Sequence, residues 1–205
     1  MDLWCFRDQG MRDKNLDFFT CFSTFRSTFI LLADGYGDSC ESGINIYLQE
    51  ICQALIISHE KIEISDILKR NPPKDSSMSI LLAKIGNEYI EICSIGDCRA
   101  YMNNVLITQD DSLAWQRLSR RKSFEDVSEL VANHPLRHKL TDSMKPNRKR
   151  NIETVEKKIS PGDKFVFCTD GVWPYFHKEI CNGSFDPNDI FVKREDNSLS
   201  LTVCL

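Results

Sequence analysis

The apolar residues of this chain form short continuous runs, and two of these runs stop abruptly at an aspartate followed by glycine. Residues 29–33 lie just before Asp34, and residues 165–168 lie just before Asp170. Runs of this length predict buried strands. A buried carboxylate is unfavourable unless it is paired or bound to a cation, and the glycine lets the backbone turn sharply beside it. The two strand ends together predict one metal site.

Three pairs of β-rich runs, each separated by a turn sequence, predict hairpins. They are residues 77–85 with 88–94, residues 99–102 with 105–108, and the two halves of 157–168 on either side of Pro161-Gly162.

Two segments have helical spacing instead. In residues 41–59, the apolar face consists of Ile44, Tyr47, Leu48, Ile51, Leu55 and Ile56. The sequence from Ser123 to Asp126 has the form of a capping box and predicts a helix start. The inner face of that second helix is predicted at Phe124, Val127, Leu130 and Val131. Strands in hairpins together with these helices predict an α+β fold with largely antiparallel sheets.

The length of 205 residues fits a single domain over residues 1–205, and 41% hydrophobic residues is ordinary for a globular protein. No apolar stretch is long enough to span a bilayer and the N-terminus lacks a signal-peptide layout, so a cytoplasmic location is predicted. Nine scattered cysteines indicate reduced thiols, without the spacing of a zinc site. A net charge of −4 argues against a nucleic-acid partner.

Two further acidic positions suit the same metal site. Near the start of the chain, Arg12 precedes Asp17, which leads into two phenylalanines, and near the end Asp196 precedes Asn197 at the mouth of an alternating strand. Hard divalent cations such as Mg²⁺ and Mn²⁺ prefer carboxylate, carbonyl and water oxygens, and a pair of them can hold a phosphoryl group during its transfer. The four aspartates and the arginine would suit that chemistry.

In this order the motifs resemble those of the metal-dependent protein serine/threonine phosphatases, the type 2C or PPM family, in its bacterial form. The matching segments span nearly the whole chain. They are Arg12 with 15–17, Asp34-Gly35 with 36–38, Gly96-Asp97 with Arg99, His134-Pro135 with Leu140-Thr141, residues 161–163, residues 169–171 and Asp196-Asn197.

The resemblance implies a four-layer α/β/β/α sandwich of two antiparallel sheets flanked by helices, with a trimmed C-terminal helical flank between Asp170 and Asp196. It also implies hydrolysis of phosphoserine and phosphothreonine by a water that bound metal activates. The implied metal ligands are Asp34, which bridges two ions, the carbonyl of Gly35, Asp170 and Asp196. Asp17 would orient a metal-bound water, and Arg12 would bind the substrate phosphate. The implied partners are a phosphoprotein and a cognate serine/threonine kinase.

Departures from the family pattern modify these expectations. Leu16 stands where a glutamate is usual, which removes a carboxylate that supports the second metal. Pro174 replaces an aspartate that, with the residue matching Asp97, helps to hold a third metal. Tyr36 stands where some members have a histidine. We therefore expect one firmly held Mn²⁺ or Mg²⁺, a weaker second ion and no ordered third, with Asp97 acting as a hydrogen-bond acceptor.

Two other interpretations stay open. Cys93 and Arg99 have the spacing of a cysteine-dependent phosphatase, in which a thiolate attacks phosphorus and the arginine binds its oxygens. That loop should open a helix, whereas here a turn and another strand are predicted. The other interpretation is a phosphatase-like module that binds a partner without turnover, as the changes at Leu16 and Pro174 would suggest.

Overall fold

A computed structural model describes residues 1–58, 62–148, 152, 154–191 and 196–205. These residues form two stacked antiparallel sheets of five strands each, with helices packed on the outer face of both. The predicted four-layer α/β/β/α sandwich is confirmed. No helix in these ranges is long and apolar enough to cross a membrane.

The strands of each sheet come from distant parts of the chain. In spatial order, the first sheet contains β1 (Asp2–Asp8), β10 (Ser198–Cys204), β9 (Lys164–Cys168), β6 (Arg99–Met102) and β7 (Val105–Leu106). The second contains β2 (Asp17–Ser23), β3 (Thr28–Gly35), β4 (Met78–Ile85), β5 (Tyr89–Ile95) and β8 (Thr154–Lys158). The two ends of the described chain therefore meet in one sheet.

The helices divide between the two outer faces. Residues of α1 (Glu41–Ile57) and α2 (Ile64–Leu68) pack on the second sheet. Residues of α3 (Leu113–Leu118), α4 (Phe124–Leu130) and α5 (Trp173–Asn182) pack on the first. Short 3₁₀ helices cover Val131–Asn133 and Pro187–Phe191.

Burial on both faces explains why the strands are continuously apolar. In β3, Phe29 and Leu31 point into the core beneath α1, whereas Ile30 and Leu32 point into the core between the sheets. Successive side chains of a strand alternate between its faces, so a strand buried on both sides requires apolar residues at every position. The apolar runs in the sequence thus mark the strands at the centre of the sandwich.

Two of the three predicted hairpins are confirmed, and the third is wrong. β4 pairs with β5, and β6 pairs with β7, as predicted. β8 and β9 belong to different sheets, because β8 pairs with β5 whereas β9 lies between β10 and β6. The Pro161-Gly162 turn therefore carries the chain from one sheet to the other.

The helix predictions are right in position and partly wrong in detail. α1 follows the predicted stretch as far as residue 57, and the predicted end at His59 lies outside the described residues. Ser123 caps α4 as predicted, because its Oγ atom accepts the Asp126 amide at 3.2 Å. Three predicted core residues are exposed, at 52%, 40% and 42% of their surface: Ile56, Phe124 and Leu130.

Five of these strands and α-helices were not predicted: β1, β2, α2, α3 and α5. In the described part of the chain between Asp170 and Asp196, α5 and the short 3₁₀ helix are the helical elements, in agreement with a trimmed flank. Gly183 ends α5 with a φ of 79°, a left-handed conformation that glycine adopts without strain.

Candidate active site

Strand pairing places two of the predicted site residues side by side. Asp17 at the start of β2 lies directly opposite Asp34 near the end of β3. Asp17 is completely buried, and its Oδ2 atom accepts a hydrogen bond from Thr169 Oγ1 at 2.7 Å. Its Oδ1 atom is buried without a hydrogen-bond partner among the residues that the structure describes. A buried polar atom without a partner is unfavourable, which suits a position beside a bound ion or water.

The crowding of carboxylates is visible in their pKa values. Burial is the main cause that raises the pKa of Asp17 to about 8, and repulsion from Asp170 and Asp196 adds to it. Burial also raises the pKa of Asp34 well above its usual range, helped by the charges of Asp17 and Asp170. Carboxylates held this close favour either a proton or a cation between them.

Asp170 follows β9, where Thr169 and Gly171 fix the geometry. The hydroxyl of Thr169 accepts the Leu199 amide at 3.1 Å while it donates to Asp17, so one side chain joins three strand ends. A Cβ atom at Gly171 would lie 1.8 Å from the carbonyl oxygen of Asn197. Only glycine permits this close approach of the chain to the start of β10.

Gly35 has a similar steric reason to be glycine. A Cβ atom there would lie 2.4 Å from Ile44 Cδ1 and 2.9 Å from Leu16 Cβ. The amide of Gly35 also donates to the carbonyl of Leu16 at 2.9 Å. Leu16 itself is 8% exposed and belongs to the apolar core beneath α1. The position where the resemblance expects a glutamate is thus part of the hydrophobic core in this chain.

Arg12 and Asp196 form a bidentate ion pair. Arg12 Nε donates to Asp196 Oδ1 at 2.9 Å, and Nη2 donates to Oδ2 at 2.6 Å. Hydrogen bonding to Asp196 is the main cause that raises the pKa of Arg12, and attraction to Asp170 and Asp34 contributes. The residue proposed for phosphate and a residue proposed for metal are therefore paired with each other.

Asn197 organises this part of the site, a role that its motif did not reveal. Its Oδ1 atom accepts the amide of Leu16 at 2.7 Å. Its Nδ2 atom donates to the carbonyls of Gln9 and Lys14 at 2.8 and 3.0 Å. One amide side chain before β10 thereby holds the loop that carries Arg12 and leads into β2.

A cavity of about 820 Å³ brings the predicted residues together. Its lining includes five of the six site residues predicted from the sequence: Arg12, Asp34, Gly35, Asp170 and Asp196. The sixth, Asp17, is fully buried behind Asp34.

Sequence reasoning missed Arg137 and His138, which also line the cavity. His138 Nδ1 lies 3.6 Å from Asp170 Oδ2, and Arg137 Nε donates to His138 Nε2 at 3.0 Å. The neighbouring His134 accepts the Leu136 amide at 3.1 Å within its own turn, as suits a residue without a catalytic role. Sequence spacing carries no signal for the contact with Asp170.

Asp97 also lines the cavity and accepts a hydrogen bond from Ser79 Oγ at 2.7 Å. Burial, followed by the charge of Asp170, raises its pKa well above the usual range. The indole of Trp173 donates to the Asp97 carbonyl at 3.0 Å, and Pro174 occupies the first turn of α5. These contacts agree with the expectation that Asp97 accepts hydrogen bonds.

The donor set fits a hard divalent cation in chemistry, but the carboxylates are not yet arranged as ligands. Aspartate oxygens, the Gly35 carbonyl and the unpartnered Asp17 Oδ1 are the donors that Mg²⁺ and Mn²⁺ prefer. Within the described ranges, however, no three acidic, histidine or cysteine side chains converge closely enough to hold an ion. Asp196 is turned to Arg12, and Asp170 lies near His138.

The cysteine-dependent mechanism is contradicted by the surroundings of its two residues. Cys93 is buried in β5, and burial raises the pKa of its thiol to about 11. Arg99 is also buried, and it forms a bidentate pair with Asp110 at 2.9 and 2.7 Å. A nucleophilic cysteine needs an accessible thiolate and a free arginine, and neither is present here.

No protein-family model and no curated protein matches the sequence. Solved structures do match it. The serine/threonine phosphatase Stp1 from Staphylococcus aureus is 17% identical with a TM-score of 0.75, over 100% of this chain and 94% of that chain. The chain has the fold of the bacterial serine/threonine phosphatases.

Two other structures of this fold contain bound groups. The PPM phosphatase MsPP from Mycobacterium smegmatis, solved with cacodylate, is 17% identical with a TM-score of 0.72, over 100% of this chain and 98% of that chain. The catalytic domain of the phosphatase PstP, solved with two manganese ions, is 15% identical with a TM-score of 0.67, over 98% of this chain and 96% of that chain.

Proposed function

We propose that this chain is a protein serine/threonine phosphatase that hydrolyses phosphoserine and phosphothreonine and depends on Mn²⁺ or Mg²⁺. The observation that carries the proposal is the meeting of Asp34, Asp170 and Asp196 with Arg12 around one cavity, in a fold that bacterial phosphatases share. The manganese ions bound to PstP support the choice of cofactor.

Asp34, the carbonyl of Gly35, Asp170 and Asp196 would hold the ions. A divalent cation in that position lowers the pKa of a water and offsets the negative charge of a phosphate. Asp17, fixed by Thr169 at 2.7 Å, would accept a hydrogen bond from that water through its unpartnered Oδ1 atom.

The fork of Arg12 would bind two phosphate oxygens, because a guanidinium matches their spacing. In the described structure the same nitrogens bind Asp196, so Arg12 has to exchange a carboxylate for the substrate phosphate. An exposed ion pair of this kind contributes only about 0.2–1 kcal/mol, so the exchange is not a large barrier. Arg12 is 58% exposed, which leaves it room to move.

The number of metals should be lower than in relatives that have the full set of acids. Leu16 lies in the apolar core, and Pro174, the second residue of α5, stands where a further acid would lie. We expect one firm site, a weaker second site and no ordered third. Calorimetric titration with Mn²⁺ tests this, and three tight sites would refute it.

The central test is metal-dependent turnover. Hydrolysis of p-nitrophenyl phosphate and of a phosphothreonine peptide should require added Mn²⁺ and stop with EDTA. Cys93→Ala serves as the matched control and should keep activity, because its thiol is buried. Turnover that persists in EDTA, or that is lost on alkylation by iodoacetamide and in Cys93→Ala, would contradict the proposal.

A second candidate is a phosphatase-like module that binds phosphoproteins without hydrolysing them. The absence of a closed ligand cluster in the described residues and the pairing of Asp196 with Arg12 favour it. Tight binding of a phosphopeptide with no turnover at any Mn²⁺ concentration would support this candidate over the first. In both cases the partner is a phosphoprotein that a serine/threonine kinase has phosphorylated. A cytoplasmic location stays a prediction.

A further inference from the structure

Arg137 and His138 line the cavity and connect to Asp170 through two successive side-chain contacts. Arg137 Nε donates to His138 Nε2 at 3.0 Å, and His138 Nδ1 lies 3.6 Å from Asp170 Oδ2. A neutral imidazole has one donor and one acceptor nitrogen, so the accepting Nε2 places the ring proton on Nδ1, toward Asp170. These two contacts therefore hold the Arg137 guanidinium at a set position relative to Asp170.

Arg137 lines the cavity without a carboxylate partner among the described residues, whereas three other arginines have one. Arg12 pairs with Asp196, Arg99 with Asp110 and Arg148 with Asp142. Arg137 has no ion pair with any residue that the structure describes, and its Nη1 atom is buried there without an acceptor. A partly buried guanidinium without an anion is unfavourable, so this side chain is suited to bind one.

The position of Arg137 separates it from the reacting phosphate. A metal ion held by Asp170 would lie about 2.0–2.6 Å from its carboxylate. Arg137 is farther away, because a whole imidazole ring and two contacts lie between its Nε atom and that carboxylate. An anion on Arg137 would therefore lie beside the phosphorylated residue of the substrate rather than at the scissile bond.

The size of the cavity agrees with a second anionic group. The volume of about 820 Å³ is in the range of pockets for whole small-molecule ligands, far more than one phosphate needs. Lys14 and Lys145 line the same cavity, so the positive charge is not limited to Arg12 and Arg137. Six aspartates also line the cavity, including the exposed Asp13 and Asp38, so the attraction for an anion is local to the basic side chains.

We infer that Arg137 binds an oxyanion next to the phosphorylated residue, so that the preferred substrates are phosphopeptides with an acidic group beside the phosphoserine or phosphothreonine. The inference rests on the proposed phosphatase function and specifies its substrate class. A carboxylate and a second phosphate share the required chemistry, because both offer two oxygens to the guanidinium fork.

Three fluorescent phosphothreonine peptides test the inference. The residues beside the phosphothreonine are alanine in the first, glutamate in the second, and a phosphonate analogue of phosphoserine in the third. With Mn²⁺, we expect kcat/KM to be on the order of tenfold higher for an acidic peptide than for the alanine peptide, through KM, as for one charge-assisted hydrogen bond. A preference for only one acidic peptide identifies the source of the oxyanion.

The variants assign the preference to Arg137. Arg137→Gln should bring the ratio of acidic to alanine peptide close to one, and Arg137→Lys should keep part of it, because the charge remains without the fork. The matched control Arg120→Gln, on an exposed residue outside the cavity lining, should leave the ratio unchanged. An unchanged ratio in Arg137→Gln would overturn the inference. An equal loss on all three peptides would also overturn it, since Arg137 would then act on the reacting phosphate.

Binding measurements separate this inference from the proposed function. Fluorescence anisotropy with the same peptides in EDTA reports the preference without turnover. If the wild-type protein shows no hydrolysis but prefers the acidic peptides, and Arg137→Gln removes that preference, the phosphatase proposal fails and the inference holds. If the wild-type protein hydrolyses all three peptides equally well and shows no preference in binding, the inference fails and the phosphatase proposal holds.

Discussion

Asp17 lies directly opposite Asp34 across β2 and β3, and within the described residues its Oδ1 atom has no hydrogen-bond partner. Strand register holds these two carboxylates together before any ligand arrives. The pairing of β2 with β3 therefore brings two carboxyl groups together where ionisation is unfavourable for the fold alone and favourable for binding a cation.

Removing one of the proposed metal ligands should abolish turnover without unfolding the protein. Asp34→Asn and Asp170→Asn should each lower kcat at least about a hundredfold, because an amide lacks the charge that holds the ion. Circular dichroism should show an intact fold in both variants. Unchanged turnover in either variant would show that the site has been placed wrongly.

The metal-free protein should become less stable as the pH rises from 6.5 to 8. Burial raises the pKa of Asp17 to about 8, so the folded protein keeps a proton that the unfolded chain has already lost. The free energy of unfolding therefore falls across this interval, and we expect the melting temperature in EDTA to drop by roughly 5 °C. Asp17→Asn should reduce the drop.

The interval from pH 6.5 to 8 avoids an opposing contribution of His177 to the pH dependence of stability. Burial lowers the pKa of His177 to about 4, so that residue makes the protein more stable as the pH rises toward its ordinary value of about 6.5. Most of that effect is complete at pH 6.5. A melting temperature that stays constant or rises between pH 6.5 and 8 in EDTA would contradict the predicted role of Asp17.

Releasing Asp196 from Arg12 should have opposite effects on metal and substrate. In Arg12→Gln the carboxylate no longer has an arginine partner, so Mn²⁺ should bind up to about fivefold more tightly, the equivalent of one exposed ion pair. The same variant should raise KM for p-nitrophenyl phosphate, because the phosphate loses its guanidinium. Calorimetry and steady-state kinetics measure the two effects, and weaker binding of Mn²⁺ would contradict the prediction.

Replacing Leu16 by glutamate should make stability depend on metal. Because Leu16 is 8% exposed and packs in the apolar core, a glutamate there should lower the melting temperature of the metal-free protein by several degrees. Mn²⁺ should restore the melting temperature, and the weaker of the two metal sites should bind Mn²⁺ more tightly than in the wild-type protein. Leu16→Gln is the matched control, with the same size and no charge, and recovery by Mn²⁺ in that variant as well would mean that the carboxylate plays no part.

Gly171→Ala should disrupt the site by backbone displacement. Its Cβ atom would lie 1.8 Å from the Asn197 carbonyl oxygen, so the start of β10 or the end of β9 has to move. We expect a loss of at least about 3 kcal/mol in the free energy of unfolding, measured by urea denaturation. Gly86→Ala is the control, since its Cβ atom would lie 3.4 Å from the nearest atom. Equal effects of both changes would refute the steric argument.

The sequence predicted most of the candidate site because strand ends are local features. Asp34 and Asp170 each follow an apolar run, so their positions at strand ends follow from the pattern alone. The two Asp-Gly strand ends already indicated one metal site, but the roles of the residues around it came from the family resemblance, since no local signal states which strands are neighbours. Arg137 and His138 stayed hidden because they contact Asp170 only through the tertiary fold.

The errors in the fold have similar causes. Pro161-Gly162 has the composition of a hairpin turn, but the pairing of β8 with β5 and of β9 with β10 decides that it connects two sheets. α5 was missed because its sequence mixes apolar and charged residues, with a proline in the first turn that indicates a start only when the helix is already suspected. Ile56 continues the predicted apolar face of α1, but its side chain is 52% exposed.

Asn197 ties together parts of the chain that are synthesised far apart in time. Its side chain holds the backbone of Gln9, Lys14 and Leu16, more than 180 residues earlier. A ribosome that has released the first strands therefore cannot yet have produced the residue that fixes the Arg12 loop. We expect the nascent protein to remain without a formed cavity until β10 has emerged, so that a stalled or prematurely terminated product lacking this strand would neither bind metal nor act on phosphoproteins.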